Sequence, residues 1–388
     1  MKKAITLLSA AALASPLAIA TAAAGDLEIY GRAHISIDHL DDRDDSSQHL
    51  MSNSSRLGVR GSEYLGMGLT GIFQYETRVR LTEAGDLFDE GRTSYLGLQG
   101  PFGTLMGGRL DDPLKTAVDR NNYFADQLGD AHNLLRPQAL FEEEENGEFV
   151  TSPVGGNNVR HNNVLAYVTP DFQGFTGTVV YGPKQGTDKG DRFVVEARYD
   201  NQVGLGNLFV SLGYLQANEG VVDDLLGLEE GDEGFGEAKH KVWQLLASYT
   251  VSDAWRVMAV YQDYGATDLD LLEDDDDVFI TQLEDDRVFG LGVGFYVAPQ
   301  VELKGHVMHH DADARNADST MYAAGLDYHI TDRTTLYGVY SIINNDDNAA
   351  RVMSNYGHGS GTTQDGEGFN VGPGDNQWGL SMGVIHNF

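Results

Sequence analysis

The chain ends in Trp378-Gly379-Leu380-Ser381-Met382-Gly383-Val384-Ile385-His386-Asn387-Phe388, a run of period two. Trp378, Leu380, Met382, Val384, His386 and Phe388 share one face, and Gly379, Ser381, Gly383, Ile385 and Asn387 share the other. The same rhythm opens the chain after residue 25. Leu27, Ile29, Ala33, Ile35 and Ile37 alternate with Glu28, Tyr30, Arg32, His34, Ser36 and Asp38. It returns at Leu69, Phe73, Tyr75, Val79 and Leu81 against Thr70, Gln74, Glu76, Arg78 and Arg80. Alternation gives strands, but a soluble sandwich also has one apolar and one polar face.

The connections separate the two. Short links at Leu65-Gly66, Gly100–Gly103, Pro170–Gly174, Asn201–Gly206, Ser252–Ala254, Ala298-Pro299 and Thr331–Arg333 take turns with longer polar ones. The longer links fall near 40–54, 82–91, 111–159, 182–190, 217–238, 265–285, 311–317 and 344–375. Tight turns on one rim and long loops on the other are the asymmetry of a transmembrane barrel. About sixteen strands of ~10 residues use roughly 160 residues, which leaves ample chain for the loops. The fold class is therefore all-β: a closed antiparallel transmembrane β-barrel of about sixteen strands.

Composition agrees. Of 388 residues 47 are Gly and 9 are Pro, with 18 Tyr and 16 Phe, a balance that suits strands and tight turns. The 26 basic residues face 59 acidic ones, a formal charge of −33 that argues against nucleic-acid binding. Cysteine is absent, which excludes a disulfide framework, a thiolate metal site and a cysteine nucleophile. Met1-Lys2-Lys3, the apolar run Ala4 to Ala20 and Ala22-Ala23-Ala24 follow the order of a secretory signal peptide. Residues 1–24 are read as that signal, cleaved before Gly25, and 25–388 as a single barrel domain. Cleavage removes Lys2 and Lys3 and no acid, so 24 basic and 59 acidic residues leave −35.

Acidic runs at Glu142–Glu145, Asp223-Asp224, Glu229-Glu230, Asp274–Asp277, Asp285-Asp286 and Asp346-Asp347 sit in or beside the long links, where they read as a solvated outer surface. Asp111 and Asp112 are expected at the rim, facing solvent. Tyr30, Tyr75, Tyr95, Trp378 and Phe388 lie near strand ends and suit interfacial aromatic girdles. His309 and His310 are adjacent on a strand and point to opposite faces, so they do not converge on one ion. No metal site, cofactor, dinucleotide loop or nucleophile elbow is expected.

Several stretches resemble the Gram-negative general porin family, the trimeric diffusion channels of the outer membrane. Ser55-Arg56-Leu57-Gly58-Val59-Arg60-Gly61-Ser62-Glu63-Tyr64-Leu65-Gly66-Met67-Gly68-Leu69 is similar to its second strand, turn and third strand, with Tyr64 where the family has an acidic or amide residue. Arg92-Thr93-Ser94-Tyr95-Leu96-Gly97-Leu98, Gly100-Pro101-Phe102-Gly103-Thr104-Leu105 and Gly107-Gly108-Arg109 resemble the next hairpin. Arg160, Asn163, Tyr167, Pro170, Phe172, Gly174 and Phe175 match the hairpin after the long third loop, and Gly383 to Phe388 matches the closing strand. The likeness is specific in the first 150 residues after 25 and at the C-terminus, and loose through 185–375.

The resemblance implies an outer-membrane location and a water-filled channel for ions and small hydrophilic solutes. It also implies homotrimers among outer-membrane lipid and lipopolysaccharide, with no enzymatic activity. It further implies a third loop folded into the barrel, carboxylates on that loop, and an arginine ladder on the facing wall. Matched position by position, the ladder falls on Arg32, Arg56, Arg92 and Arg160. Alternation independently turns Arg32 and Arg56 inward, whereas the match alone carries Arg92 and Arg160. Arg60, Arg78 and Arg80 share the polar faces of their strands and extend the basic wall. Asp126 and Asp130, with Asp119, are the expected acidic partners, although the family's Pro-Glu-Phe-Gly loop tip is absent. Phe388 corresponds to the terminal aromatic read by the outer-membrane insertion machinery. Three other readings stand beside this one: a channel with a dedicated solute site, a secreted acidic all-β binding or adhesion protein, and an outer-membrane hydrolase.

Overall fold

The chain was described as a computed structural model over residues 25–388, except 44–45, 83–90, 137, 143–148, 154–159, 185–190, 219–238, 252–253, 268–284, 355 and 360–370. Residues 1–24, expected as an export signal, and the acidic residues Glu143–Glu145, Asp223-Asp224, Glu229-Glu230 and Asp274–Asp277 lie outside the described residues. The first half holds β1 (Asp26–Asp41), β2 (Ser46–Ser52), β3 (Arg56–Gly66), β4 (Leu69–Arg78), β5 (Gly91–Gly100) and β6 (Gly103–Asp111). After these come α1 (Pro113–Asn121), α2 (His132–Leu135), β7 (Gln138–Glu142) and β8 (Phe149–Pro153). Next are β9 (Arg160–Val168), β10 (Phe175–Gly182), β11 (Arg192–Val203), β12 (Gly206–Asn218) and β13 (Lys239–Val251). The chain closes with β14 (Trp255–Thr267), β15 (Asp286–Ala298), β16 (Val301–Asp311), β17 (Ser319–Thr331), β18 (Thr334–Asn345) and β19 (Gln377–Asn387).

Sequential antiparallel pairing closes on itself, because β1 pairs with β19 from Arg32↔Asn387 to Asp41↔Trp378. The terminal residue completes the seam: the Gly31 amide donates to the Phe388 carbonyl at 3.0 Å, and the Phe388 amide donates to the Gly31 carbonyl at 3.1 Å. Strands β2 and β3 occupy one barrel position, since both pair with β1 on either side of a break at Asn53–Ser55. The barrel therefore has sixteen positions, and the β7–β8 hairpin stands apart from it. Closure satisfies the backbone where no water reaches it.

The wall is apolar outside and polar inside. Met382, Leu96 and Leu27 are 73%, 72% and 69% exposed on the outer face, while Asp38, His310 and Ser381 on the inner face are at most 1% exposed. A soluble core would reverse this order, so the outer face is built for hydrocarbon. His310 turns inward and His309 outward to Thr320, as alternation requires. Tyr30 and Tyr95, expected in the girdles, instead stand on the inner face: Tyr30 donates to Glu76 at 2.9 Å and Tyr95 packs against the buried cluster. The first long link is also shorter than expected. Residues 40–41 and 46–52 extend the ladder as strand, leaving only residues 42–45 between them.

Candidate functional site

Residues 112–136 fold from the end of β6 into the barrel. Asp112 starts α1 by accepting from the Leu114 amide at 2.8 Å, and Pro113 occupies the first turn, where its missing N–H costs nothing. One side of the helix is apolar, so Leu114, Ala117 and Val118 bury against the wall. Inner-face glycines make the sockets. A Cβ on Gly213 would lie 2.6 Å from Leu114 Cδ1, and one on Gly292 would lie 2.5 Å from Tyr123 Cε2. Beyond the helix, Phe124 meets His306 edge-on with centroids 4.8 Å apart. Buried Lys304 donates at 2.8 Å to both the Tyr123 carbonyl and Gln127 Oε1, and it pairs with Asp327.

This seat presents the loop tip to the opposite wall. Asp126 adopts φ 58, a left-handed conformation that Asp tolerates, and aims its carboxylate at β1 and β3. Arg32 Nη1 lies 3.1 Å and Arg56 Nη1 3.8 Å from Asp126 Oδ2. Burial works against charge on Asp126, but these guanidiniums outweigh it and hold the carboxyl well below the usual range. Next along the wall, Arg92 bonds Glu76 at 2.6 Å and Ser54 Oγ at 3.0 Å. Arg160 lies 3.2 Å from Asp111, whose carboxylate also holds Lys115 of α1 at 3.0 Å.

The four ladder arginines thus converge on one inner wall, each paired with a carboxylate. The register explains why alternation alone did not place two of them. Between Tyr75↔Ser94 and Thr77↔Gly91, β5 carries one extra residue, which turns both Arg92 and Thr93 inward. Between Gly108↔Val164 and Leu110↔His161, β9 carries another, with Asn163 at φ 55. Arg60 stands lower on the wall, half-exposed, paired with Glu28 at 2.7 Å and stacked on Tyr30. Arg78 ends β4 across from Arg56, and Arg80 follows the strand end.

Two of the three loop acids do not meet the ladder. Asp130 is turned into its own loop, accepting from Asn122 Nδ2 at 2.7 Å, the Asp126 amide at 2.7 Å and the His132 amide at 2.9 Å. Burial, together with the charge of Asp126, pushes its carboxyl well above the usual range. Asp119 pairs with Lys115 one helical turn back and with His132 at 2.9 Å. Asp111 and Asp112, expected in solvent at the rim, are corrected: Asp111 joins Arg160 and Lys115, and Asp112 caps α1 and lies 3.2 Å from His161. A second inward stretch, residues 346–354 and 356–359, was not expected from sequence at all. Its one signal is the apolar-basic run Ala349-Ala350-Arg351-Val352-Met353 inside an otherwise polar, Gly-rich link.

The sequence profile of the Gram-negative porin family matches residues 8–348. The major outer membrane protein P.IB of Neisseria gonorrhoeae is 27% identical over 215 residues, 52% of this chain and 54% of that protein. The chain thus spans about half the length of that curated relative. A Neisseria meningitidis serogroup A protein of the same name is 24% identical over 350 residues, 86% of this chain and 91% of that protein. Among solved structures, the anion-selective porin from Comamonas acidovorans superposes with a TM-score of 0.68 at 20% identity, covering 94% of this chain and 100% of that one. Salmonella typhi OmpF, solved with daunomycin, gives 0.59 at 14% identity, covering 93% and 97%. At these identities the structural likeness speaks for the fold.

Proposed function

The chain belongs to the Gram-negative porin family, and on that premise we propose that it forms a channel for passive diffusion of ions and small hydrophilic solutes across the outer membrane. The observation that carries this reading is the inside-out barrel whose inward loop sets Asp126 opposite Arg32 and Arg56. A loop seated on one wall and charged toward the other makes a constriction with a transverse field, which is what sorts small solutes without chemistry. In this reading the channel is not an enzyme, because its inner charges are spent on one another. Residues 1–24 act as the export signal, 25–388 as one barrel domain, and Phe388 as the assembly signal. Three copies associate among lipid and lipopolysaccharide.

The acidic excess of the chain enriches cations at the mouth, whereas paired arginines and carboxylates nearly balance at the constriction. The expected selectivity is a weak cation preference that fades as salt shortens the Debye length from about 10 Å at 0.1 M. The test is planar-bilayer conductance of the refolded chain 25–388 with a reversal potential under a KCl gradient. Stepwise openings that close in threes, with a small cation-selective potential, are the expected result. A folded, inserted protein that conducts nothing would overturn the reading. An adhesion protein is the less favoured alternative, because it would leave the outer apolar band in water.

A further inference from the structure

We propose that residues 346–354 and 356–359 form a second constriction element, a strap that crosses the lumen on top of the first loop, with Arg351 as the positioning residue that fastens it. This inference rests on the channel reading above. The Arg351 side chain is fully buried. Its Nη1 donates to the carbonyls of Asn133 at 3.3 Å, Leu134 at 3.3 Å and Arg136 at 2.9 Å, at the C-terminal end of α2. Those carbonyls have no partner within the helix, so a cation there satisfies them and meets the negative end of the backbone dipoles. Its Nη2 reaches the wall, donating to Tyr264 Oη at 2.8 Å and lying 3.3 Å from His310 Nε2. Asp286 completes that receptor, 3.0 Å from His310.

From this anchor the strap runs back over the loop tip. The Met353 carbonyl accepts from the Gly129 amide at 2.8 Å and from Asn133 Nδ2 at 2.7 Å. The Tyr356 amide donates to Asn133 Oδ1 at 3.1 Å, and its ring meets His132 edge-on at 4.2 Å. Gly357 rests directly on the tip: a Cβ there would lie 2.2 Å from Asp126 Oδ1. At the far wall His358 pairs with Asp38 at 3.1 Å, and the Gly359 amide donates to Asn53 Oδ1 at 2.7 Å. The strap therefore touches β14 and β16 on one side and β1 with the break before β3 on the other. Ala349, Val352, Met353, Ser354 and His358 are all buried, which an ordinary solvated outer loop does not achieve. In this proposal the strap narrows the lumen beside the Asp126 constriction.

The chain has no cysteine, so a single introduced thiol reports on the strap cleanly. In the refolded full barrel, Ser354→Cys should react slowly with a membrane-impermeant maleimide. Adding Arg351→Gln should speed that reaction on the order of tenfold, as local opening becomes easier. In bilayers, Arg351→Gln should raise single-channel conductance about twofold, since one of two crossing elements is released. If wild type conducts and Arg351→Gln changes neither labelling nor conductance, the strap proposal is overturned and the channel reading survives. If inserted wild type and variant both stay silent, both fall. Faster labelling in the variant, with larger or newly appearing openings, supports the strap.

Discussion

Two segments cross the interior of this barrel, and apolar and polar contacts hold them there in different proportions. The loop after β6 is seated chiefly by apolar packing: Leu114, Val118, Tyr123 and Phe124 are buried against β12, β15 and their neighbours, while Lys304 and the Lys115 pairs brace it and Asp126 faces the opposite wall. Among its described residues the segment after β18 has no helix, and beside buried Val352 and Met353 it is fastened mainly by polar contacts: one buried guanidinium, an imidazole–carboxylate pair and a few backbone amides. Apolar seating is non-directional and strong in aggregate, whereas a buried cation holds only while every partner stays in place. The first loop should therefore behave as a fixed part of the wall, and the second as a part that depends on it.

The largest effect should come from attacking the seat itself. Phe124 is fully buried, edge-on to His306 and beneath the Lys304 ammonium at 4.7 Å. Phe124→Ala should cost about 3–5 kcal/mol of local stability, as large-to-small core changes do. Because Gly129 and Asn133 carry the strap, both segments should loosen together. Conductance would rise more than in the Arg351 variant and become noisy, and the folded form would melt at lower temperature in a heat-modifiability gel. A quiet, wild-type-like channel from Phe124→Ala would break the comparison, because the apolar seat would then not be what holds the loop.

What was legible in the sequence follows the same division. Long, clean alternation at Trp378–Phe388 and Leu27–Asp38 gave the strands, the closing seam and the inward turn of Arg32 and Arg56. Bulges in β5 and β9 each insert one residue, so alternation fails where Arg92 and Arg160 stand, and only the family likeness placed them. Tyr30 lies on the polar face of its own strand, yet aromatic character suggested a girdle; its hydroxyl instead serves Glu76. Asp111 and Asp112 read as solvated acids and Asp130 as a partner of the ladder, because no pattern in sequence tells a carboxylate that braces a loop from one that faces water or the opposite wall. Arg351 was invisible for the same reason. Its partners are carbonyls more than 200 positions away in the chain and side chains on two other strands.

A smaller and different effect should follow from changing charge without touching the seat. Replacing Arg32 and Arg56 together with Gln leaves Leu114, Val118 and Phe124 in their sockets while removing two cations that face Asp126. The loop should stay where it is, with conductance steps as steady as wild type. Reversal potentials should then move toward cations, with a permeability ratio raised by a factor of about 2–5 at low salt and less at high salt. If the double variant instead gave the noisy channel expected of Phe124→Ala, ion pairing rather than apolar packing would be the loop's anchor.

The smallest effect concerns acid, and here the two carboxylates of the tip pull in opposite senses. Asp126 is held below its unfolded value of about 3.9. Its contribution is present above that value and is lost only as pH falls through the lower folded one. Asp130 is shifted upward by burial and by Asp126. Its contribution is full below about 3.9 and is lost as pH rises through the raised folded value. As pH falls, Asp130 is therefore protonated before Asp126, so the loop is already relieved of that charge when the Asp126–Arg32 pair lets go. Channel noise should not climb as pH drops toward 4 and should rise only under much stronger acid. Asp130→Asn removes the charge but also one of the acceptors used by the Asn122, Asp126 and His132 donors. The net change should be small, within about 1 kcal/mol, with the loop's response to acid then set by the Asp126 pairs. Noise that climbs steadily from pH 7 to 4 in wild type would mean that the Asp126 pairs, and not the seat beneath them, carry the loop.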